Sequence, residues 1–171
     1  SIVGQLTEEQ KQSIQEGDIE TIAKIAEQSG IDPDDVEALS SFARELVTQS
    51  LEGLTGSDFD AAVEVTAKTV VQAVSQFAFA QTSASEIVVV AISRSATRAA
   101  VEKAASVDGA NVPAAAKAAA KGSAQGAVEA AAEADLDVST AANAAAKGAS
   151  SGAIEATADD GAEAQAEAVS Q

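Results

Sequence analysis

Apolar residues recur along this chain with helical spacing, and the recurrence is itself periodic. Over 32–54 the residues Val36, Leu39, Ala43, Leu46, Val47 and Leu54 fall on one stripe, which predicts an amphipathic helix. Over 58–81 there are two apolar faces: Phe59, Val63, Val70, Val74 and Phe77 form one, and Val65 and Phe79 lie elsewhere. The segment 84–107 opens with Ile87-Val88-Val89-Val90-Ala91-Ile92, apolar all round for nearly two turns, so cover from several sides is expected there. Segments 112–133 and 138–159 keep the helical rhythm with almost no large side chains. The first thirty residues are irregular. Thr7-Glu8-Glu9-Gln10 reads as the cap of a short helix, Gly17-Asp18 interrupts it, and a second helix runs to about Ser29.

Punctuation follows the same beat. Helix stops are expected at Gly30, Gly56, Thr82, Gly109, Asp135 and Gly161, each 26 or 27 residues after the last. Start signals follow: Asp32-Pro33-Asp34-Asp35 as N-cap, first-turn proline and dipole-suited acids, Ser57-Asp58, the capping box Ser83-Ala84-Ser85-Glu86, Asn111-Val112-Pro113 and Asp137-Val138-Ser139. Val47, Val74, Val101, Val128 and Ile154 hold equivalent places. Lys121-Gly122-Ser123-Ala124-Gln125-Gly126-Ala127-Val128-Glu129 is nearly repeated as Lys147-Gly148-Ala149-Ser150-Ser151-Gly152-Ala153-Ile154-Glu155. A fixed period of this size marks a repeat architecture. The fold expected is all-α: an up-and-down array of about five long antiparallel helices on a 26- to 27-residue repeat, preceded by a short two-helix N-terminal cap. It forms one domain over 1–171, with 1–30 as the atypical capping unit, 31–161 as five helical repeats and 162–171 as a polar tail that should fray in an isolated monomer.

Composition narrows the chemistry. The chain has no His, Cys, Met, Trp or Tyr, so the usual acid–base and nucleophilic sets are missing and catalysis is not expected. Ten basic residues against 27 acidic ones leave a net charge of −17, which argues against nucleic acid and against anionic membrane surfaces. No apolar run approaches the length of a membrane span. The absence of cysteine excludes disulfides without assigning a compartment. No cofactor is implied. Asp135-x-Asp137-x-Ser139 superficially resembles a calcium loop, but Thr140 replaces the glycine at loop position six and Ala146 replaces the acid at position twelve. Weak surface binding of Ca²⁺ is compatible with the charge; a tight metal site is not expected.

Two features stand out against that background. The pairs Gly122/Gly126 and Gly148/Gly152 each lower helix stability by about 1 kcal/mol per glycine relative to alanine, so their repetition at one register needs a reason. Close approach of another backbone supplies one, either within the chain or between copies. The second feature is a base-then-acid order in each unit, which runs against the helix dipole. Between antiparallel neighbours it would bring Glu102 near Lys117 and Lys117 near Glu155, a ladder that sets register; the plain alternative is a solvated face.

These residues point to a non-catalytic, self-assembling structural protein, a filament, surface layer or similar array. Its partner would be itself, and Gly122, Gly126, Gly148, Gly152, Val88, Val90 and Ile92 would be packed against neighbouring copies. The alternative is a soluble acidic helical module that binds a protein partner along helices 84–107 and 112–133. Ice or mineral binding would need a regular threonine or acidic array, and Thr48, Thr55, Thr66, Thr69, Thr97 and Thr140 form none.

Overall fold

The computed structural model describes the backbone of residues 2–81 and 85–170, and side chains as far as Ala158. Among these residues the chain is all-helical, with α1 (Glu8–Gln15), α2 (Ile19–Ser29), α3 (Val36–Leu51), α4 (Gly56–Phe79), α5 (Ser85–Ser106), α6 (Val112–Glu133) and α7 (Val138–Ser170).

Local chemistry explains most of the boundaries. Thr7 and Gln10 form a reciprocal capping box at the start of α1. Asn111 caps α6 by accepting from Ala114 N–H, and Asp137 accepts from the N–H groups of Ser139 and Thr140 at the start of α7. Gly30, Gly56, Gly109 and Asp135 all take left-handed backbone angles, with φ of 66°, 54°, 76° and 57°. Asp135 is the one residue other than glycine to do so among the described residues, at a position where its short polar side chain tolerates the geometry.

Three boundaries differ from the expectation. The cap of α3 is Asp35, not Asp32, because Asp32 folds into a turn of its own and accepts from Asp34 N–H. α4 begins at Gly56, before Ser57-Asp58, and its N-cap Thr55 makes no side-chain bond. α7 runs through Gly161 to Ser170, because a glycine inside an otherwise alanine-rich sequence lowers helix stability without ending the helix. The expected stop at Thr82 and the Ser83-Ala84 part of the capping box lie outside the described residues.

The closest packing is not between neighbours along the chain. α4 lies mainly on α6 and α5 mainly on α7, each more extensively than any sequence-adjacent pair touches, and α3 also packs against α5 and α2 against α4. Alternate helices therefore share a layer, α3, α5 and α7 in one and α2, α4 and α6 in the other. α4 and α6 run the same way, since Gly122 faces Glu64 and Gly126 faces Lys68, and so do α5 and α7, where Gly148 faces Val90 and Gly152 faces Arg94.

Large side chains fill the N-terminal part. Ile14, Ile22, Leu39, Phe42, Leu46, Leu51 and Phe59 are fully buried. The segment before α1 is tied down on α3: the N–H groups of Ile2 and Val3 donate to the Glu45 carboxylate, and Leu6 N–H donates to Gln49 Oε1 at 2.8 Å. Toward the C-terminus the core thins to alanine, with Ala119, Ala127, Ala130, Ala145 and Ala149 buried around the four glycines.

Candidate functional site

The four helix-interior glycines are buried, and what buries them is backbone of the same chain. A methyl group on Gly122 would overlap the carbonyl oxygen of Glu64 and lie 3.0 Å from Lys68 N. On Gly126 it would overlap the Lys68 carbonyl, on Gly148 that of Val90, and on Gly152 that of Arg94. Each obstacle is main chain, which cannot swing aside as a flexible side chain would. The glycines therefore form two intramolecular seams, α4/α6 and α5/α7, and leave no glycine face for a second copy. Close approach also sets Cα–H groups against carbonyls, contacts worth about 0.5–1 kcal/mol each.

The apolar opening of α5 is likewise used inside the chain. Val88 and Ile92 lie in the core and Val90 is half-buried, its carbonyl against Gly148. All-round cover is not achieved: Ile87 remains 64% exposed at the end of the stack.

The charge ladder exists, with different partners from those expected. Arg44 Nη2 donates to Glu102 Oε2 at 3.0 Å, Lys68 pairs with Glu129 at 3.2 Å, and Arg94 pairs with Glu155. Lys121 reaches Glu64 at 3.2 Å, and Arg98 bridges Glu102 and Glu155 at 2.7 and 3.3 Å. Glu102 and Glu155 thus bond to Arg44, Arg94 and Arg98. Lys117 is exposed and makes no ion pair among the described residues. The inter-helix pairs join alternate helices and not sequence neighbours. Parallel alternate helices bring the base of one unit beside the acid two units later, which a neighbour-only scheme cannot do.

Each seam is thus a glycine strip edged by ion pairs. In α4/α6 the pairs Glu64–Lys121 and Lys68–Glu129 flank Gly122 and Gly126. In α5/α7 Val90 stands where Glu64 stands in the other seam, so Lys147, the counterpart of Lys121, has no acid to meet and is exposed without an ion pair among the described residues.

Two clefts accompany the seams. One, of about 250 Å³, lies at an end of the stack between Phe79, Val89, Ala131, Leu136 and Ala141, with Glu86 and Asp137 at its edge. The other, of about 230 Å³, opens on the α3–α5–α7 layer. Among the described residues no group of three or more acidic, His or Cys side chains is arranged to hold a metal ion, and no helix is long and apolar enough to cross a membrane.

No known protein family, curated protein or solved structure matches this chain.

Proposed function

We propose that this protein is a non-catalytic structural protein that assembles with copies of itself, and that its chain is a 26- to 27-residue helical repeat of five long helices behind a two-helix cap. In support of the repeat, the Arg44–Glu102 contact spans 58 residues and the Arg98–Glu155 contact spans 57, roughly twice the period. The left-handed positions at 30, 56, 109 and 135 keep the same beat.

The observation that carries the assembly reading is the asymmetry of the two ends. At the N-terminal end, α1, α2 and the segment before them cover the layers with large side chains. At the other side of the layers, α6 and α7 present exposed outer faces among the described residues. Asn143, Lys147, Ser150, Ile154 and Thr157 form an exposed row on α7, and Ile154 is 67% exposed. In a stack built by adding helices to a layer, that face is where the next helix would lie, and a second copy supplies one. The repulsion of a −17 chain opposes association and makes it salt-dependent.

Sedimentation velocity across protein concentration and salt tests this. Oligomers are expected that grow with salt and are lost in Ile154→Glu, whose helicity stays unchanged. A concentration-independent monomer in every salt, calcium and mild-acid condition would end the reading. The cleft beside Phe79 and Leu136 favours the second reading, an acidic module that docks a partner protein; in that case Ile154→Glu leaves the oligomeric state untouched and Leu136→Glu abolishes partner binding.

A further inference from the structure

The chain has three arginines, Arg44, Arg94 and Arg98, and all three line the same cleft of about 230 Å³ on the α3–α5–α7 layer. Other rungs of the ladder use lysine: Lys68 meets Glu129 and Lys121 meets Glu64, one base to one acid. Here the side chain changes to a planar fork that binds carboxylate or phosphate through two parallel N–H bonds. At Arg98 the fork bridges two carboxylates, whereas Arg44 and Arg94 each meet one, a contact that a lysine would also make.

Arg98 sits deepest and bridges Glu102 and Glu155. Arg44 from α3 and Arg94 from α5 are about half exposed, and each meets its carboxylate through Nη2. A guanidinium carries five N–H donors, so both forks have donors beyond those that meet Glu102 and Glu155. Ser40 and Ser95 add hydroxyls from the same two helices to the lining. We infer that this cleft binds a small, multiply charged oxyanion, held between the forks of Arg44 and Arg94 with Arg98 fixing the floor. Two carboxylates line the cleft as well: Glu155, paired with Arg94 and Arg98, and the exposed Glu37, whose charge opposes the ligand and lowers the affinity. Such a ligand would also tie α3 to α5 across the layer, beside the Arg44–Glu102 pair that already joins them.

Titration calorimetry of the full chain at constant ionic strength, with pyrophosphate in one arm and citrate in the other, tests the inference. Saturable one-to-one binding with Kd of about 1 mM or tighter is expected. Arg94→Gln and Arg44→Gln should each weaken it at least tenfold. Glu37→Gln should tighten it several-fold, and Lys117→Gln, which removes an exposed charge elsewhere, should leave it unchanged. Because Arg94→Gln also removes a rung of the α5/α7 seam, Arg94→Lys serves as its partner variant: it keeps the charge and the fold but loses the fork, and weakened binding is expected there too. Binding of pyrophosphate alone assigns a phosphoryl ligand, and binding of citrate alone assigns a polycarboxylate. The inference is overturned if neither binds, or if the arginine and Glu37 variants bind as the parent does.

Discussion

In α3, Leu39, Phe42, Leu46 and Leu51 reach across to their neighbours; in α6 and α7, Gly122, Gly126, Gly148 and Gly152 let the neighbouring backbone come to them. The first region buries large side chains, each worth about 1.5–3 kcal/mol when fully removed from water. The second has little such area to bury. It relies on short interhelical distance, where many weak backbone contacts act together. The two regions tolerate opposite errors. A core of large side chains is damaged by a void, and a glycine seam by an added atom. A small-residue core can therefore hold inside one chain, without a second molecule to supply bulk.

The comparison can be broken most severely at the seams. Gly126→Leu combined with Gly152→Leu inserts a large side chain into both at once, and α6 and α7 should detach from α4 and α5. Hydrogen exchange is the measurement: protection should vanish in α6 and α7 and persist in α1 to α3. Uniform protection across the chain would mean that α6 and α7 hold their places without tight glycine seams.

Next in size is a void in the N-terminal core. Leu46→Ala should lower stability by about 2–5 kcal/mol, read from the denaturant midpoint. A single methyl in a seam sharpens the contrast. On an exposed helix face Gly→Ala stabilises by about 1 kcal/mol, yet Gly122→Ala should destabilise by about 1–3 kcal/mol because the methyl meets the Glu64 carbonyl. The sign decides between intramolecular seam and open face: a stabilised Gly122→Ala protein would refute the seam. Smallest of all, Lys68→Gln removes a half-exposed rung and should cost about 0–1 kcal/mol, with the difference from the parent vanishing in high salt.

Much of the helical layout is legible in residue order. Segment 112–133 is α6 to the residue, because Asn111 and Pro113 make an unambiguous start. The break at Gly17-Asp18 separates α1 from α2, where Asp18 caps α2. At Asp32-Pro33-Asp34-Asp35 several residues compete for the cap, and the choice of Asp35 depends on how the preceding turn folds. Propensity predicts the end of α7 at Gly161, but one glycine is a weak stop when alanines flank it. The ion-pair residues Glu102 and Glu155 are visible as a recurring acid, and Arg44 and Arg94 as a recurring base. Their pairing is not, because a period read along one dimension does not say whether a unit meets the next one or the one after.

Residue order alone determined that this chain would be helical, where most helices begin, how little bulk its last third contains, and that acids outnumber bases by 27 to 10. Those properties follow from local sterics, capping and charge, which act within a few residues. Only the tertiary structure decided that alternate helices pair, that the glycines are consumed by backbone of the same molecule, and that three arginines distant in sequence meet in one cleft. Those outcomes depend on which surfaces approach most closely, and a glycine accommodates close approach from any backbone without naming which one.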